Sequence, residues 1–288
     1  MPLSLVPTPL GNLGDVTRRS IDALQQADLI VAEDTRVARR LLNALGIGPK
    51  ELRSYREQNA AAVTEGIIER ALTSRVVLVS DAGMPAISDP GSELVAAARA
   101  AGVPIDVLPG PSAALGVAVL SGFPLRRFVF EGFPPRTRTA RRAAFRTALA
   151  ANATTIWFES PQRIVDALDD LAAVAAGARV FLVREYTKRY EQQVLGNPAE
   201  VAASLALPVR GEIAFAVAPH AAESMPQRAP DADAAIDALL DEGRSVREIA
   251  KALADAGAGE RRALYARASE RRRAREVGRP PASAEDNP

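Results

Sequence analysis

The side chains best suited to chemistry in this chain stand at the ends of apolar runs. Asp81 and Asp89 bracket the segment Asp81-Ala82-Gly83-Met84-Pro85-Ala86-Ile87-Ser88-Asp89-Pro90-Gly91, which follows directly on Val76-Val77-Leu78-Val79-Ser80. A β-branched run of that length reads as a buried strand. Gly83 and Gly91 let the backbone approach a ligand closely, and the prolines stiffen the path between them. Open α/β proteins bind their ligands at such strand ends. Three further loops repeat the pattern: Pro7-Thr8-Pro9-Leu10-Gly11-Asn12-Leu13-Gly14-Asp15, Ala32-Glu33-Asp34-Thr35-Arg36 and Leu108-Pro109-Gly110-Pro111-Ser112. The last opens a helical pattern whose free N-terminal amides suit a carboxylate or hydroxyl. Asp34 or Thr35 also fits the plainer role of a helix cap. The first loop lacks the G-x-G-x-x-G spacing of a dinucleotide site. Convergence of four polar loops on one sheet is a stronger sign of a site than any one of them.

A second set of loops lies further along. Glu131-Gly132-Phe133-Pro134-Pro135 precedes Arg136, Arg138, Arg141, Arg142 and Arg146, and no acid occurs between Gly132 and Phe158. This is either a solvated helix face or a surface for a phosphate backbone; the missing acidic partners favour the second. Phe158-Glu159-Ser160-Pro161-Gln162-Arg163 ends one strand pattern and opens a helix. Arg184-Glu185-Tyr186-Thr187-Lys188-Arg189-Tyr190-Glu191 follows another, as an exposed amphipathic segment or a loop facing substrate. Lys188 is one of only 3 lysines, and lysine, unlike arginine, can exchange a proton at a useful pH. Gly211-Glu212 precedes a strand, where a tight turn is the simpler account.

Composition narrows the chemistry. The 288 residues contain no cysteine and a single histidine, His220. Thiol catalysis, disulfides, thiolate metal sites and histidine-rich metal sites are therefore excluded, and no metal is expected. A net charge of +1 gives no global field for nucleic acid, so any basic footprint is local. The start of the chain lacks a signal-peptide pattern, and no run reaches bilayer length, so a soluble cytoplasmic protein is expected.

The elements that must position these groups alternate. Strand patterns at 3–6, 29–31, 52–54, 76–80 and 105–107 are separated by helical ones at 16–26, 37–45, 60–71 and 94–101. That predicts a parallel-rich sheet with helices on its faces, here as a domain over 1–120. The register resets near Ser121-Gly122-Phe123-Pro124. A second α/β domain, 121–222, has predicted strands at 128–130, 154–158, 179–184 and 213–218 and helices at 139–151, 162–174 and 198–205. A linker at 223–230 leads to a small helical domain within 223–275, with helices at 232–241, 246–255 and 260–274. The pattern from Ser245 to Leu253, then Gly257 and Arg261-Arg262, resembles a helix-turn-helix. With Arg267, Arg271, Arg272, Arg273 and Arg275 it fits a packing module or an RNA-contacting one. The tail, 276–288, reads as disordered.

Taken in order, TPLGNLGD (8–15), AEDTR (32–36), LVSDAGMPAISDPG (78–91), PGPSA (109–113), FEGFPP (130–135), FESPQR (158–163), REYTK (184–188) and GEIAF (211–215) resemble the ribosomal RNA small subunit methyltransferase I family. That family lies within the tetrapyrrole (corrin/porphyrin) methylase superfamily. The resemblance implies two α/β domains with S-adenosylmethionine in the cleft between them, plus the small C-terminal helical domain. It also implies 2′-O-methylation of a cytidine ribose in the decoding region of 16S rRNA, within the 30S subunit, by a homodimer. The cofactor pattern maps onto Asp81, Gly83, Ile87, Ser88, Ser112, Phe158 and Ala214. Substrate contacts are expected from Asn12, Asp34, Arg36, Arg136, Arg138, Arg141 and Arg163, and catalytic roles from Lys188 and Glu185. Arg56, Gln58 and Gln162 stand where histidines are usual, and Met84 where threonine is. Those departures argue against an obligatory histidine base, or against activity in this chain. A tetrapyrrole C-methyltransferase shares the fold and cofactor but usually opens with G-x-G-x-G-D, not P-x-P-x-G-N-L-G-D. A knotted ribose methyltransferase would share only the chemistry. A non-catalytic RNA-binding assembly factor with a vestigial cleft is the reading without catalysis.

Overall fold

The computed structural model describes residues 2–219, 232–255 and 261–277. Its first sheet is made of β1 (Leu3–Val6), β2 (Leu29–Ala32), β3 (Glu51–Ser54), β4 (Val76–Val79) and β5 (Ile105–Val107), in the order β3-β2-β4-β1-β5. All four ladders are parallel. The connecting helices are α1 (Arg18–Gln26), α2 (Thr35–Ala44), α3 (Ala60–Thr73) and α4 (Ser92–Ala100). Every residue of β2 and β4 is buried, because helices cover both faces of the sheet. One face packs Leu3, Leu29, Leu78 and Leu94 together, and the other packs Val6, Ile30, Val77 and Leu24. Parallel pairing puts all five strand C-termini on one edge. The loops after β1, β2, β4 and β5 gather there for that reason.

The chain then runs through α5 (Ala113–Leu120), β6 (Phe128–Gly132), α6 (Arg138–Ala150), β7 (Thr154–Glu159), α7 (Ile164–Val174), β8 (Val180–Arg184), β9 (Gln192–Gly196), α8 (Pro198–Ala203) and β10 (Ile213–Val217). The second sheet has the order β6-β7-β10-β8-β9. Only β6 and β7 are parallel; the remaining three ladders are antiparallel. β9 was not predicted. It is an edge strand of sequence Gln192-Gln193-Val194-Leu195-Gly196 with no buried residue, so it offers no apolar run to read. Trp157, Phe145 and Phe215 anchor one face of this sheet, with Trp157 stacked on Phe215 at 6.3 Å and edge-on to Phe145 at 5.2 Å.

Helix α5 falls on the other side of the division expected at residue 121. Ala114, Val117 and Ala118 pack against Ile156, Phe181, Ala214 and Ala216 of the second sheet. The chain therefore passes from one sheet to the other at the Pro109–Ser112 turn, one helix earlier than the sequence pattern indicates. Met1–His220 form one compact unit that holds both sheets, and Ala221–Pro288 form a second.

The second unit contains α9 (Ala232–Asp241), α10 (Val246–Asp255) and α11 (Arg261–Val277), around Ile236, Ile249, Leu253, Leu264 and Ala268. Arg267 pairs with Asp233 at 2.8 Å, and Arg271 pairs with Asp233 and Asp237. Those two arginines hold the bundle together rather than standing free for RNA. His220, the linker at 223–230, Gly257 and the tail beyond 277 lie outside the described residues. Among the described residues no helix is long and apolar enough to cross a membrane.

Candidate active site

Two of the strand-end loops are stitched to each other. Thr8 and Gly83 exchange backbone hydrogen bonds of 2.9 and 3.0 Å. The Thr8 hydroxyl donates to the Ser80 carbonyl at 3.2 Å, and the Ser80 hydroxyl donates to the Gly83 carbonyl at 2.8 Å. Gly83 has φ +81°, and a Cβ there would lie 2.9 Å from Leu10 Cδ2. A side chain at this crossing would be strained, which favours glycine there.

These loops form one wall of a cavity of about 390 Å³, and the second sheet forms the other. Asp81, Gly83, Ile87, Ser88 and Ser112 come from the first sheet's edge, Phe158 from β7 and Ala214 from β10. The structure thus brings all seven residues of the expected cofactor set to one cavity. The lining is mainly apolar. Phe158 sits edge-on to Phe130 at 5.0 Å and to Phe133 at 5.9 Å. Ser112 caps α5 through the Leu115 N–H, and Ser112 and Ala113 at the start of that helix line the cavity. Leu10, Val183, Tyr186 and Glu212 also line it, without having been assigned a cofactor role from sequence. Tyr186 is placed by packing: a Cβ on Gly116 would lie 2.4 Å from its ring. A helical glycine facing a tyrosine some 70 residues away leaves no local signal.

Lys188 and Glu185 form a closed cluster beside the cavity. The Lys188 ammonium donates to Glu185 at 2.9 Å and to Glu212 at 2.8 Å, and Glu185 also accepts the Glu212 N–H at 2.9 Å. Burial would lower the Lys188 pKa, but the bonds to Glu212 and Glu185 outweigh it and raise it. Burial likewise pushes the Glu185 carboxyl up, yet Lys188 and the Glu212 amide leave it below its usual value. Lys188 is therefore a persistent cation, and the proton-acceptor role open to it on sequence is withdrawn. Glu185 has φ +55°, a strained position for a side chain with a Cβ, held by those same bonds. Gly11 and Gly211 allow the approach: a Cβ on either would lie 2.2 Å from Lys188 Cγ or 2.4 Å from Glu185 Oε1.

The expected substrate residues separate into two groups. Asp34 caps α2 and grips Arg36 through Nε and Nη2. The hydrogen bonds from Arg36 hold its carboxyl well below the usual range. Asp34 is therefore committed locally, whereas Arg36 stays exposed with Arg39 and Arg40 along a shallow concavity. Asn12 accepts the Gly14 N–H at 2.9 Å and so shapes its own turn.

Arg136 and Arg138 are exposed on the surface. Arg141 is not: its side chain is 5% accessible and pairs with Asp170, itself 1% accessible, at 2.5 Å. Arg142 meets the same carboxylate at 2.7 Å, and Arg138 at 3.5 Å. The acid missing from the local sequence is supplied by α7. Arg141 is thus removed from the expected phosphate surface. Arg163 donates to the Pro134 and Pro135 carbonyls and pairs with buried Glu159 at 3.0 Å. It clamps the Phe133–Pro135 loop over the cavity instead of reaching for substrate.

One acidic grouping joins Asp81, expected at the cofactor, to two carboxylates with no role assigned from sequence. Glu33, Asp81 and Asp89 end or follow β2 and β4 near one another. Burial, reinforced by Glu33 and Asp81, pushes the Asp89 carboxyl up to about 7. Burial, with Asp81 adding to it, also raises Glu33, and burial raises Asp81. Among the described residues no group of carboxylates and histidines is arranged to hold a metal ion.

Residues 2–202 match the family described as Tetrapyrrole (Corrin/Porphyrin) Methylases. A protein of Halalkalibacterium halodurans named ribosomal RNA small subunit methyltransferase I is 45% identical over 199 residues, covering 69% of this chain and 68% of that one. A protein of the same name from Xylella fastidiosa is 39% identical over 275 residues, or 91% of this chain and 97% of that one. The crystal structure of diphthine synthase shares the fold, with a TM-score of 0.61 at 18% identity over 76% of this chain and 90% of that one. With its paired sheets, its cavity and these relatives, the chain belongs to the tetrapyrrole (corrin/porphyrin) methylase family, among the ribosomal RNA small subunit methyltransferase I proteins.

Proposed function

We propose that the chain transfers a methyl group from S-adenosylmethionine to the 2′-hydroxyl of a cytidine in the decoding region of 16S rRNA, acting on the 30S subunit in the cytoplasm. The observation that carries this reading is the shared cavity, to which both sheets bring the expected residues. Its volume of about 390 Å³ and mainly apolar lining suit a cofactor of that size. When bound, S-adenosylmethionine supplies an electrophilic methyl group on a sulfonium.

Ile87, Phe158 and Ala214 would flank the adenine, and Ser112 with the amides of the first turn of α5 would hold polar groups of the methionine part. The carboxylates of Asp81 and Asp89 on the cavity wall suit a cationic cofactor. Lys188 acts by position: it ties Glu185 to Glu212 and sets the cavity's rim. Arg36, Arg39 and Arg40 provide a local basic surface for phosphates, consistent with a chain that is nearly neutral as a whole.

We further propose that two copies associate through the outward face of α5. Leu115 and Val119, one turn apart there, are 55% and 71% accessible, an unusual exposure for a helix that is apolar all round.

Two measurements test the reading together. Calorimetry should show stoichiometric binding of S-adenosylmethionine. Incubation with 30S subunits from a strain lacking the modification should place one labelled 2′-O-methyl group in the decoding region. Labelled corrinoid with untouched RNA would assign the chain to tetrapyrrole chemistry instead.

A further inference from the structure

The arginines of α11 fall into two rows. Arg267 and Arg271 are held by Asp233 and Asp237 of α9. Leu264 and Ala268, on the same side of the helix, are buried in the bundle's core. At 3.6 residues per turn, Arg261, Arg262, Tyr265, Ser269 and Arg273 share an arc of about 120° opposite Arg267. All of these but Ser269 are exposed, and Tyr265 is 49% accessible. Among the described residues no hydrogen bond or ion pair occupies the guanidinium of Arg261, Arg262 or Arg273. From Arg261 to Arg273 the arc carries no acid, since Glu270 falls outside it.

Other acids of the unit are engaged elsewhere. Glu248 closes a cap at the start of α10, where it accepts the Ser245 N–H at 2.9 Å and the Ser245 hydroxyl at 2.7 Å. Glu242 meets Arg244 at 3.2 Å. Arg247 and Lys251, one turn apart on α10, add two more exposed cations. The bundle thus uses one row of arginines for its own cohesion and leaves the other to solvent.

We propose that the outward face of α11 docks on a double-stranded segment of the ribosomal RNA, from a unit separate from the one that holds the cavity. The inference rests on the reading of the substrate as rRNA, and it gives the small unit the task of holding that substrate while the larger unit modifies it. Charge complementarity selects the partner: a row of unpaired guanidiniums along one helix face is the footprint of a phosphate backbone. Arg261 to Arg273 span about 18 Å of helix, a fixed row of donors with the Tyr265 hydroxyl among them. Duplex RNA is read in that way, through its shape, its phosphates and its 2′-hydroxyls. A single strand calls for several aromatic faces to stack its bases, and Tyr265 is the one aromatic residue of this unit. A lipid surface calls for an apolar stripe facing outward, whereas α11 turns Leu264 and Ala268 into the core. The assignment also gives the helix-turn-helix pattern a use, since the second helix of such a pair carries the contacts.

The test compares full-length wild type with two triple variants. One is Arg261→Gln, Arg262→Gln, Arg273→Gln; the other is Arg261→Lys, Arg262→Lys, Arg273→Lys. Both replacements keep helix propensity, so circular dichroism and thermal unfolding should match wild type. Filter binding at about 50 to 200 mM salt measures affinity for unmodified 30S subunits, for an RNA duplex of unrelated sequence and for a single strand of the same length. The glutamine variant should bind the duplex at least about tenfold more weakly and flatten the slope of log affinity against log salt by about 3. Its KM for 30S subunits should rise with kcat and S-adenosylmethionine affinity unchanged. The lysine variant should keep most of the affinity and the slope, because phosphates require the charge. A glutamine variant that binds and transfers like a wild type active on 30S subunits overturns the docking surface alone. So does a lysine variant as weak as the glutamine one, or a fall in kcat with no change in RNA affinity. Wild type that prefers the single strand, or variants that lose phosphatidylglycerol vesicles rather than RNA, give the face to another partner and overturn the proposal. Wild type that neither binds nor methylates 30S subunits overturns the rRNA reading, and this inference with it.

Discussion

Replacing Asp170 by asparagine removes the charge that three arginines share. Asp170 Oδ2 accepts from Arg141 Nε at 2.8 Å and Oδ1 from Arg142 Nε at 2.7 Å, at a site where Asp170 is 1% and Arg141 5% accessible. Breaking a buried pair from one side costs about 3–5 kcal/mol, because the other charge stays buried without compensation. Arg142 and Arg138 reach solvent and can rehydrate, so the lower end, about 3 kcal/mol, is the expectation. For a unit of this size that corresponds to a fall in Tm of about 6–12 °C.

The sign with pH follows from the shift. Burial raises the Asp170 carboxyl, but the bonds from Arg142 and Arg141 outweigh it and leave it lowered. Its stabilisation is therefore complete above the usual carboxylate pKa and disappears as pH falls through the lowered value. The gap between wild type and Asp170→Asn should close in acid. Thermal and urea unfolding measure both effects. A double Arg141→Leu, Asp170→Leu variant should recover much of the loss, since an apolar pair replaces a buried ionic one. A loss under about 1 kcal/mol for Asp170→Asn would refute the reasoning. So would an Arg141→Ala variant of normal stability but weaker, less salt-dependent RNA binding.

Gly83→Ala forces a Cβ into a backbone at φ +81° and against Leu10. It should cost about 1–2 kcal/mol in urea unfolding and weaken cofactor binding measured by calorimetry. Lys188→Met should lower transfer while leaving its pH profile unchanged, because Lys188 does not titrate in the working range; a shifted profile would restore it as the base. Arg163→Ala leaves Glu159 without its cation and frees the Pro134 and Pro135 carbonyls, so a loss of about 2–3 kcal/mol and faster proteolysis at 133–136 are expected. For Asp89 the stability sign is opposite to that for Asp170. Its raised pKa means that the folded state holds the proton longer, so stability falls as pH rises from about 4 to 7. Asp89→Asn should flatten that slope and be the more stable protein at pH 8.

The strand-end loops were legible because their signals are local. A β-branched run ending in Gly, Pro and Asp, as at Val76–Gly91, encodes both a buried strand and the turn that follows it. Alternation of such runs with helical periods then obliges the loops to share an edge, whatever the tertiary detail. The seven residues expected at the cofactor reach one cavity for the same reason, since they lie within motifs read in order.

What the sequence left open depends on partners distant along the chain. Arg141 looked free because no acid is near it in sequence; Asp170, 29 residues on, supplies the charge. Lys188 looked like a titrating group until Glu212, 24 residues away, closed the cluster that keeps it protonated. β9 lacked a pattern because an edge strand need bury nothing, and α5 changed sheets because an all-apolar helix carries no preferred face. Asp89 acquired its raised pKa only when folding brought Glu33 and Asp81 beside it and took water away. Local residue pattern decides where the chain turns and which segments are buried. Charge pairing, proton affinity and the cavity itself depend on distances that exist only once the sheets have packed.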